Sequence, residues 1–296
     1  MKYVLTGGAG HITKPLAEKL LASGHQVTVI GRNAEHLKPL TDKGAKAAIG
    51  SIDDVEFLTK TFTGADGVYT MTPPKFDASN WKEYIAQAGK NYATAIKSSG
   101  VKKVVNLSSV GAHMPTGCGP VSGLFYVEKA LNELKEVNVT HLRPGYFFYN
   151  LLNNVDMVKH MNIIGGNYGA DTKLVLADTN DIADAAAEEL LNSSSKDHTV
   201  RYVVSDERKT IEIANVLGKS IGKPELPWVP FKDEDALGGM ISAGLPEEIA
   251  KNYVEMGTAI RSGAMFEDYS QHRPAVKGKV KLEDFAKHFA AAYNAN

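Results

Sequence analysis

Lys2-Tyr3-Val4-Leu5-Thr6-Gly7-Gly8-Ala9-Gly10 is the stretch that decides the fold of this chain. Tyr3 to Leu5 reads as a short buried strand, and the glycines that follow make a tight turn. Beyond them Ile12, Leu16 and Leu20 recur at helical spacing, with Pro15 in the first turn and Gly24 at the stop. A strand running through a glycine turn into a helix aims backbone N–H groups and the positive end of the helix at one spot, which suits a pyrophosphate. Gly7 permits the turn, and Gly10 lets phosphate oxygens approach the backbone closely. Thr13 stands where a third glycine usually lets the helix pack against the strand, so it puts that packing in question rather than phosphate binding.

Working outward, the same alternation continues. Strands are expected at Gln26 to Ile30, Ala45 to Ile49, Gly67 to Met71 and Val101 to Leu107, with helices at Ala34 to Lys43, Val55 to Phe62 and Trp81 to Ser99 between them. Crossovers of helical length imply a parallel sheet with helices on both faces. Val137 to Leu142 and Arg201 to Val204 read as further strands and Asp181 to Leu191 as a helix; from Leu226 onward helices are expected without strong strands. The fold class expected is therefore α/β: a doubly wound parallel sheet of the Rossmann type with a smaller, mostly helical C-terminal lobe. The boundaries expected are a nucleotide-binding core over 1–150, a sheet completed by about 178–206, and a cleft-forming lobe over 207–296.

The bulk numbers agree with an ordinary globular chain. Apolar residues make up 43% of 296, enough to bury a substantial core. With 33 basic against 34 acidic residues the net charge is −1, so bulk charge attracts neither nucleic acid nor an anionic membrane. Cys118 is the lone cysteine, which rules out an internal disulfide and fits a reducing compartment. With no leader pattern and no apolar run of bilayer length, a cytoplasmic location is expected. The nine histidines include no i, i+4 pair, so no metal is expected, and there is no Gly-x-Ser-x-Gly elbow. Gly218-Lys219-Ser220 lacks the upstream glycine of a P-loop.

The end of the second strand carries Gly31-Arg32-Asn33 where an acidic residue would bind a ribose 2′-hydroxyl. A guanidinium there pairs with a 2′-phosphate and stacks on adenine, so NADP(H) is expected in preference to NAD(H), with Asn33 adding a hydrogen bond. Ser51 and Ile52, after the third strand, are placed to face the adenine edge. Asp53 or Asp54 serves equally as cap of the next helix. Thr72-Pro73-Pro74, after the fourth strand, stiffens a loop beside the second half of the cofactor.

These residues together resemble the NmrA-like group of atypical short-chain dehydrogenases/reductases over nearly the whole chain. The resemblance is carried by Thr6 to Gly10, Gly31-Arg32-Asn33, Gly64-Ala65-Asp66-Gly67-Val68, Val104-Val105-Asn106-Leu107-Ser108-Ser109, Leu142-Arg143-Pro144-Gly145-Tyr146-Phe147, Asp181-Ile182-Ala183 and Gly244-Leu245-Pro246-Glu247. That group includes NADPH-dependent quinone and dye reductases and nucleotide-sensing regulators without turnover. The resemblance implies that Gly7, Gly10, His11 and Ile12 hold the pyrophosphate and Arg32 the 2′-phosphate. It implies too that Thr72 and Pro73 flank the nicotinamide ribose, that Ser108 and Ser109 lie near the nicotinamide, and that Gly145, Tyr146 and Phe147 line the substrate cleft.

Members of the wider superfamily use Ser with Tyr-x-x-x-Lys, the lysine lowering the tyrosine pKa for proton exchange with substrate. Here Lys129 has Phe125 four residues earlier, and Tyr126 is one position off. Aligning Glu128-Lys129-Ala130-Leu131 with the family's helix puts Leu124 at the lysine and Pro120 at its partner, so the dyad is broken either way. Tyr126, Ser108 and His113 remain as candidate proton donors, each with a packing or solvated-loop role as its alternative. Hydride transfer to a quinone asks little of a side-chain acid. The expected function is thus an NADPH-dependent oxidoreductase acting on a flat, apolar small-molecule acceptor. The alternative is an NADP-sensing protein whose affinity for a protein partner depends on bound nucleotide.

Overall fold

The computed structural model describes residues 1–192 and 197–295. The first half alternates as expected: β1 (Lys2–Leu5), α1 (Thr13–Ala22), β2 (Gln26–Gly31), α2 (Ala34–Thr41), β3 (Lys46–Ile49), α3 (Val55–Phe62), β4 (Gly67–Thr70), α4 (Trp81–Ser99), β5 (Lys103–Leu107), α5 (Val121–Asn132) and β6 (Asn138–Pro144). The second half contains β7 (Tyr146–Phe147), a 3-10 segment (Phe148–Asn154), α6 (Val155–Met161), β8 (Ile164–Gly166), β9 (Lys173–Ala177), α7 (Thr179–Leu191) and β10 (His198–Val203). After these come β11 (Asp206–Lys209), α8 (Thr210–Ser220), β12 (Trp228–Pro230), α9 (Asp233–Ser242), α10 (Glu247–Ser262), α11 (Glu267–Gln271) and α12 (Leu282–Asn294).

Seven strands form one parallel sheet in the order β10-β6-β5-β4-β1-β2-β3. The direction of winding reverses between β1 and β4. At such a switch point the loops leaving the two strands diverge, and the crevice between them is where doubly wound sheets bind ligands. One face of the sheet packs against α1 and α7 through Leu16, Leu20, Ile182 and Leu190. The other packs against α3, α4 and α5 through Leu58, Ile85, Tyr92, Val127 and Leu131. Both faces are covered, which is why β4 is buried at every position.

Four helices open on a side-chain cap. Asn33, Asp54, Asn80 and Asp178 each accept a backbone N–H at the start of α2, α3, α4 and α7. Of the two acids after β3, Asp54 is therefore the cap.

A third core lies under two small sheets, β11-β9-β7 and β12-β8, with Phe148, Ile164, Leu176, Trp228, Ile260 and Phe289 among its members. After Leu226 the one strand among the described residues is the three-residue β12, beside the helices expected there. These strands are two to five residues long, and Gly165 in β8 lets the backbone of Val229 and the Phe231 ring come close where a Cβ would collide. So short and glycine-bearing a strand displays no alternating pattern to read. The segment 277–281 is tied to α7 by a buried carboxylate and to the end of β10 by the Gly278 N–H, which donates to the Val204 carbonyl at 2.7 Å. Asp181 accepts the backbone N–H of Lys279 (3.0 Å) and of Val280 (3.2 Å) and the Ser205 hydroxyl (2.6 Å).

Candidate functional site: the crevice between β1 and β4

The loop after β1 is held from beneath. Thr6 accepts the Met71 N–H at its hydroxyl (2.8 Å), and its carbonyl accepts the Thr13 hydroxyl (2.9 Å). Thr13, whose size put the packing of α1 in question, is buried and acts as a tie between helix and strand. The Tyr92 hydroxyl on α4 donates to the Met71 carbonyl (2.6 Å), so the loops after β1 and β4 share one scaffold.

Gly7 and Gly8 have φ of +93° and +59°, and a Cβ on Gly7 would strike the Thr13 hydroxyl at 2.6 Å and Met71 at 2.9 Å. Only glycine fits there. Helix α1 opens at Ile12 with no side-chain cap and no acid in its first turn. Its leading N–H groups face the crevice mouth with Gly10 and His11 exposed beside them.

At the end of β2, Arg32 is exposed, and its side chain makes no ion pair or hydrogen bond among the described residues. The Asn33 side-chain oxygen is committed to the Glu35 N–H (2.8 Å), which leaves only its amide N–H₂ for a ligand. Ser51 exchanges hydrogen bonds with Asp53: its hydroxyl donates to the carboxylate (3.2 Å) and accepts the Asp53 N–H (3.1 Å). Ile52 is buried, its carbonyl accepting from Asn91 of α4 (3.2 Å). Thr72 and Pro73 are half-buried on the loop after β4.

Of the candidate acid–base residues, Ser108 and His113 border one buried charge network and Tyr126 lies outside it. Ser108 is buried and donates to Glu128 on α5 at 2.5 Å. Glu128 is gripped in turn by Arg143 of β6 through two bonds of 2.9 and 2.6 Å. Arg143 also reaches Asp268 of α11 (2.8 Å) and the Tyr202 hydroxyl of β10 (3.2 Å). Two residues along a helix are about 200° apart, so Tyr126 points away from Glu128. It is exposed, edge-on to Phe125, and lines an opening with Lys82 and Ala86 of α4 and Asn252 of α10. Tyr126 thus lies at a surface opening, away from the Ser108–Glu128 contact. His113 lies near Asp268, and its buried Nδ1 has no partner among the described residues.

The buried network around Arg143 was missed in the sequence. Leu142-Arg143-Pro144 carries the resemblance and Glu128-Lys129 aligns with the family's helix, but nothing in their spacing says that they pair.

The cleft residues divide as the extended backbone of β7 requires. Gly145 runs so close to β9 that a Cβ would lie 2.5 Å from the Val175 carbonyl oxygen. Tyr146 packs towards the third core and Phe147 towards the sheet core that also holds Ala9 and Met71. Burial keeps the Tyr146 phenol well above its ordinary pKa, with Tyr168 and Tyr253 adding to the shift, so it stands as a neutral hydroxyl among aromatic neighbours. That wall continues through Tyr253 to Trp81 (5.5 Å between centroids) and Phe76 (5.9 Å), the latter half exposed. On the other side Tyr149 lies against the His11 ring at 3.9 Å, joining the 3-10 segment to the glycine turn. Among the described residues no cluster of His, Cys, Asp and Glu has a metal-binding arrangement. Nor is any helix long and apolar enough to cross a membrane.

The NmrA-like family model matches residues 2–286. The chain belongs to the NmrA-like family. A further relative is an uncharacterized oxidoreductase, YesF, of Bacillus subtilis, 26% identical over 276 residues that cover 88% of this chain and 85% of the relative. Among solved structures, the NADPH-dependent quinone oxidoreductase QOR2 of Escherichia coli complexed with NADPH superposes with a TM-score of 0.81. Its identity is 21%, over 97% of this chain and 99% of that one. The Citrobacter sp. triphenylmethane reductase complexed with NADP(H) gives a TM-score of 0.81 at 22% identity, covering 98% and 100% of the two chains. These likenesses establish that this NmrA-like chain shares their fold.

Proposed function

We propose that this chain is an NADP(H)-dependent oxidoreductase that passes hydride to a flat, apolar acceptor of the quinone or dye class. The observation that carries the reading is Arg32: an unpaired guanidinium at the end of β2, beside a glycine turn whose helix opens without cap or acid. An anion with two phosphorylated ends suits that pairing, and a dinucleotide with a 2′-phosphate supplies both. The residues present fit the cofactor. Gly7, Gly10, His11 and Ile12 would hold the pyrophosphate, Arg32 with the Asn33 amide the 2′-phosphate, Ile52 the adenine edge, and Thr72 and Pro73 the second ribose. When bound, the cofactor supplies hydride chemistry.

The chain's own residues would position and exclude water. Tyr146, Tyr253 and Phe76 offer a wall against which a planar acceptor stacks. The Ser108 hydroxyl, held by Glu128, keeps the end of β5 fixed beneath it. With Leu124 at the family's lysine position and Tyr126 facing outward, the site favours acceptors whose reduced anion water can protonate, over alcohols or sugars. The same observation favours a second reading, a nucleotide sensor without turnover that answers to a protein partner. Steady-state NADPH oxidation with a panel of quinones and triarylmethane dyes separates the two. Turnover of any acceptor with saturation supports the reductase; tight binding of both NADP⁺ and NADPH without turnover of the panel supports the sensor.

A further inference from the structure

We propose that Lys75 is the second cation of the 2′-phosphate site, and that capture of the phosphate pins the loop 71–80 across the adenosine end of the crevice. This rests on the NADP(H) reading above. Tyr84 lies on the first turns of α4. It packs against the core that holds Ile30, two residues before Arg32, and Ile52 at the end of β3. The Lys75 ammonium lies over its ring, 5.1 Å from the centroid. Burial raises the Tyr84 pKa, with Asp53 and Asp77 adding to the shift and the Arg32 charge opposing it.

Lys75 thus sits over the ring from the loop after β4, while Arg32 extends from the end of β2, two residues beyond the Ile30 of the same core. Neither side chain makes an ion pair or hydrogen bond among the described residues, whereas Lys19, Lys43, Lys82 and Arg143 are all paired with carboxylates. A cation resting on a ring is a loose arrangement that a phosphate dianion readily improves upon. The two acids nearby do not fill the role: Asp53 is engaged by Ser51, and Asp77 makes no salt bridge to either cation.

The consequence follows from chain order. Pro73 and Pro74 stiffen the loop just before Lys75, so fixing the ammonium fixes its neighbour. That neighbour is Phe76, packed on Trp81 and through it on Tyr253 of α10. One loop therefore touches the adenosine end with one residue and the acceptor wall with the next.

The test is calorimetric titration of the whole chain with 2′,5′-ADP, 5′-AMP, NADPH and NADH, using wild type, Lys75→Gln, Lys75→Arg and Arg32→Ala. Lys75→Gln is expected to weaken 2′,5′-ADP and NADPH about tenfold while leaving 5′-AMP and NADH unchanged, and Lys75→Arg to restore most of the loss. Hydrogen exchange of residues 71–80 is expected to slow on adding 2′,5′-ADP to wild type but not on adding 5′-AMP, and in Lys75→Gln with neither. Unchanged NADPH affinity in Lys75→Gln, with Arg32→Ala still selective against NADPH, overturns this inference and leaves the cofactor reading standing. Wild type that does not prefer 2′,5′-ADP to 5′-AMP overturns both.

Discussion

Replacing Arg143 by Met tests whether the buried charge network holds the site together. The guanidinium makes two bonds to Glu128, at 2.9 and 2.6 Å, one to Asp268 at 2.8 Å and one to the Tyr202 hydroxyl at 3.2 Å. The Glu128 side chain is only 7% exposed, so the variant strands a carboxylate with Ser108 as its remaining donor. Breaking a buried pair from one side costs about 3–5 kcal/mol, because the partner's desolvation is no longer offset. At about 2.1 cal/mol/K of unfolding entropy per residue, that loss lowers Tm by roughly 5–8 °C for a chain of this size. Urea unfolding and calorimetry of Arg143→Met, Glu128→Leu and the double variant measure it. The double variant should recover at least about half of the single variant's loss, since it removes the stranded charge with the guanidinium. A loss below about 1 kcal/mol in Arg143→Met, or a double variant no better than Arg143→Met, would refute the reasoning.

Arg32→Ala should weaken NADPH binding by about 1.5–3 kcal/mol, the scale of a hydrogen bond to a charged group, and leave NADH unchanged by titration; equal losses contradict the 2′-phosphate assignment. His141 is held neutral between Asn106 (3.1 Å) and Asn132 (3.0 Å), and burial pushes its pKa from 6.5 down to about 4. The unfolded chain therefore binds the proton first, and stability falls as pH drops from about 7 to 5, by about 2 kcal/mol from this residue. Urea midpoints at the two pH values, in wild type and His141→Gln, check that slope, which the variant should reduce. Gly145→Ala places a Cβ 2.5 Å from the Val175 carbonyl oxygen, so it should cost about 1–3 kcal/mol in chemical denaturation and loosen β7 from β9, seen as faster amide exchange there.

What was legible follows from how local each signal is. The β1 turn, Gly7 and the start of α1 could be read because strand, turn and helix are contiguous and each needs its own residue type. Arg32 was legible as a substitution at a position whose usual acidic chemistry is known. The bond of Glu128 to Arg143 was not, because 15 residues and a crossing of the sheet separate the partners and neither side chain advertises burial. The direction of Tyr126 was not legible because sequence spacing ignores which helix face is turned inward; Glu128, two residues on, is the side chain that α5 turns towards Ser108. The strands at 164–166 and 173–177 escaped notice because their pairing partners lie far along the chain.

The carboxylate of Asp181 has a consequence for anyone building chimaeras within this family. The small sheets are woven from separated lengths of chain, and the tail that follows them is anchored by a side chain belonging to α7, which packs on the large sheet. Exchanging a single C-terminal block between relatives keeps this contact only where the recipient also carries an acid at position 181. A graft that travels with β7 to β9, the tail and Asp181 together keeps donor and recipient compatible.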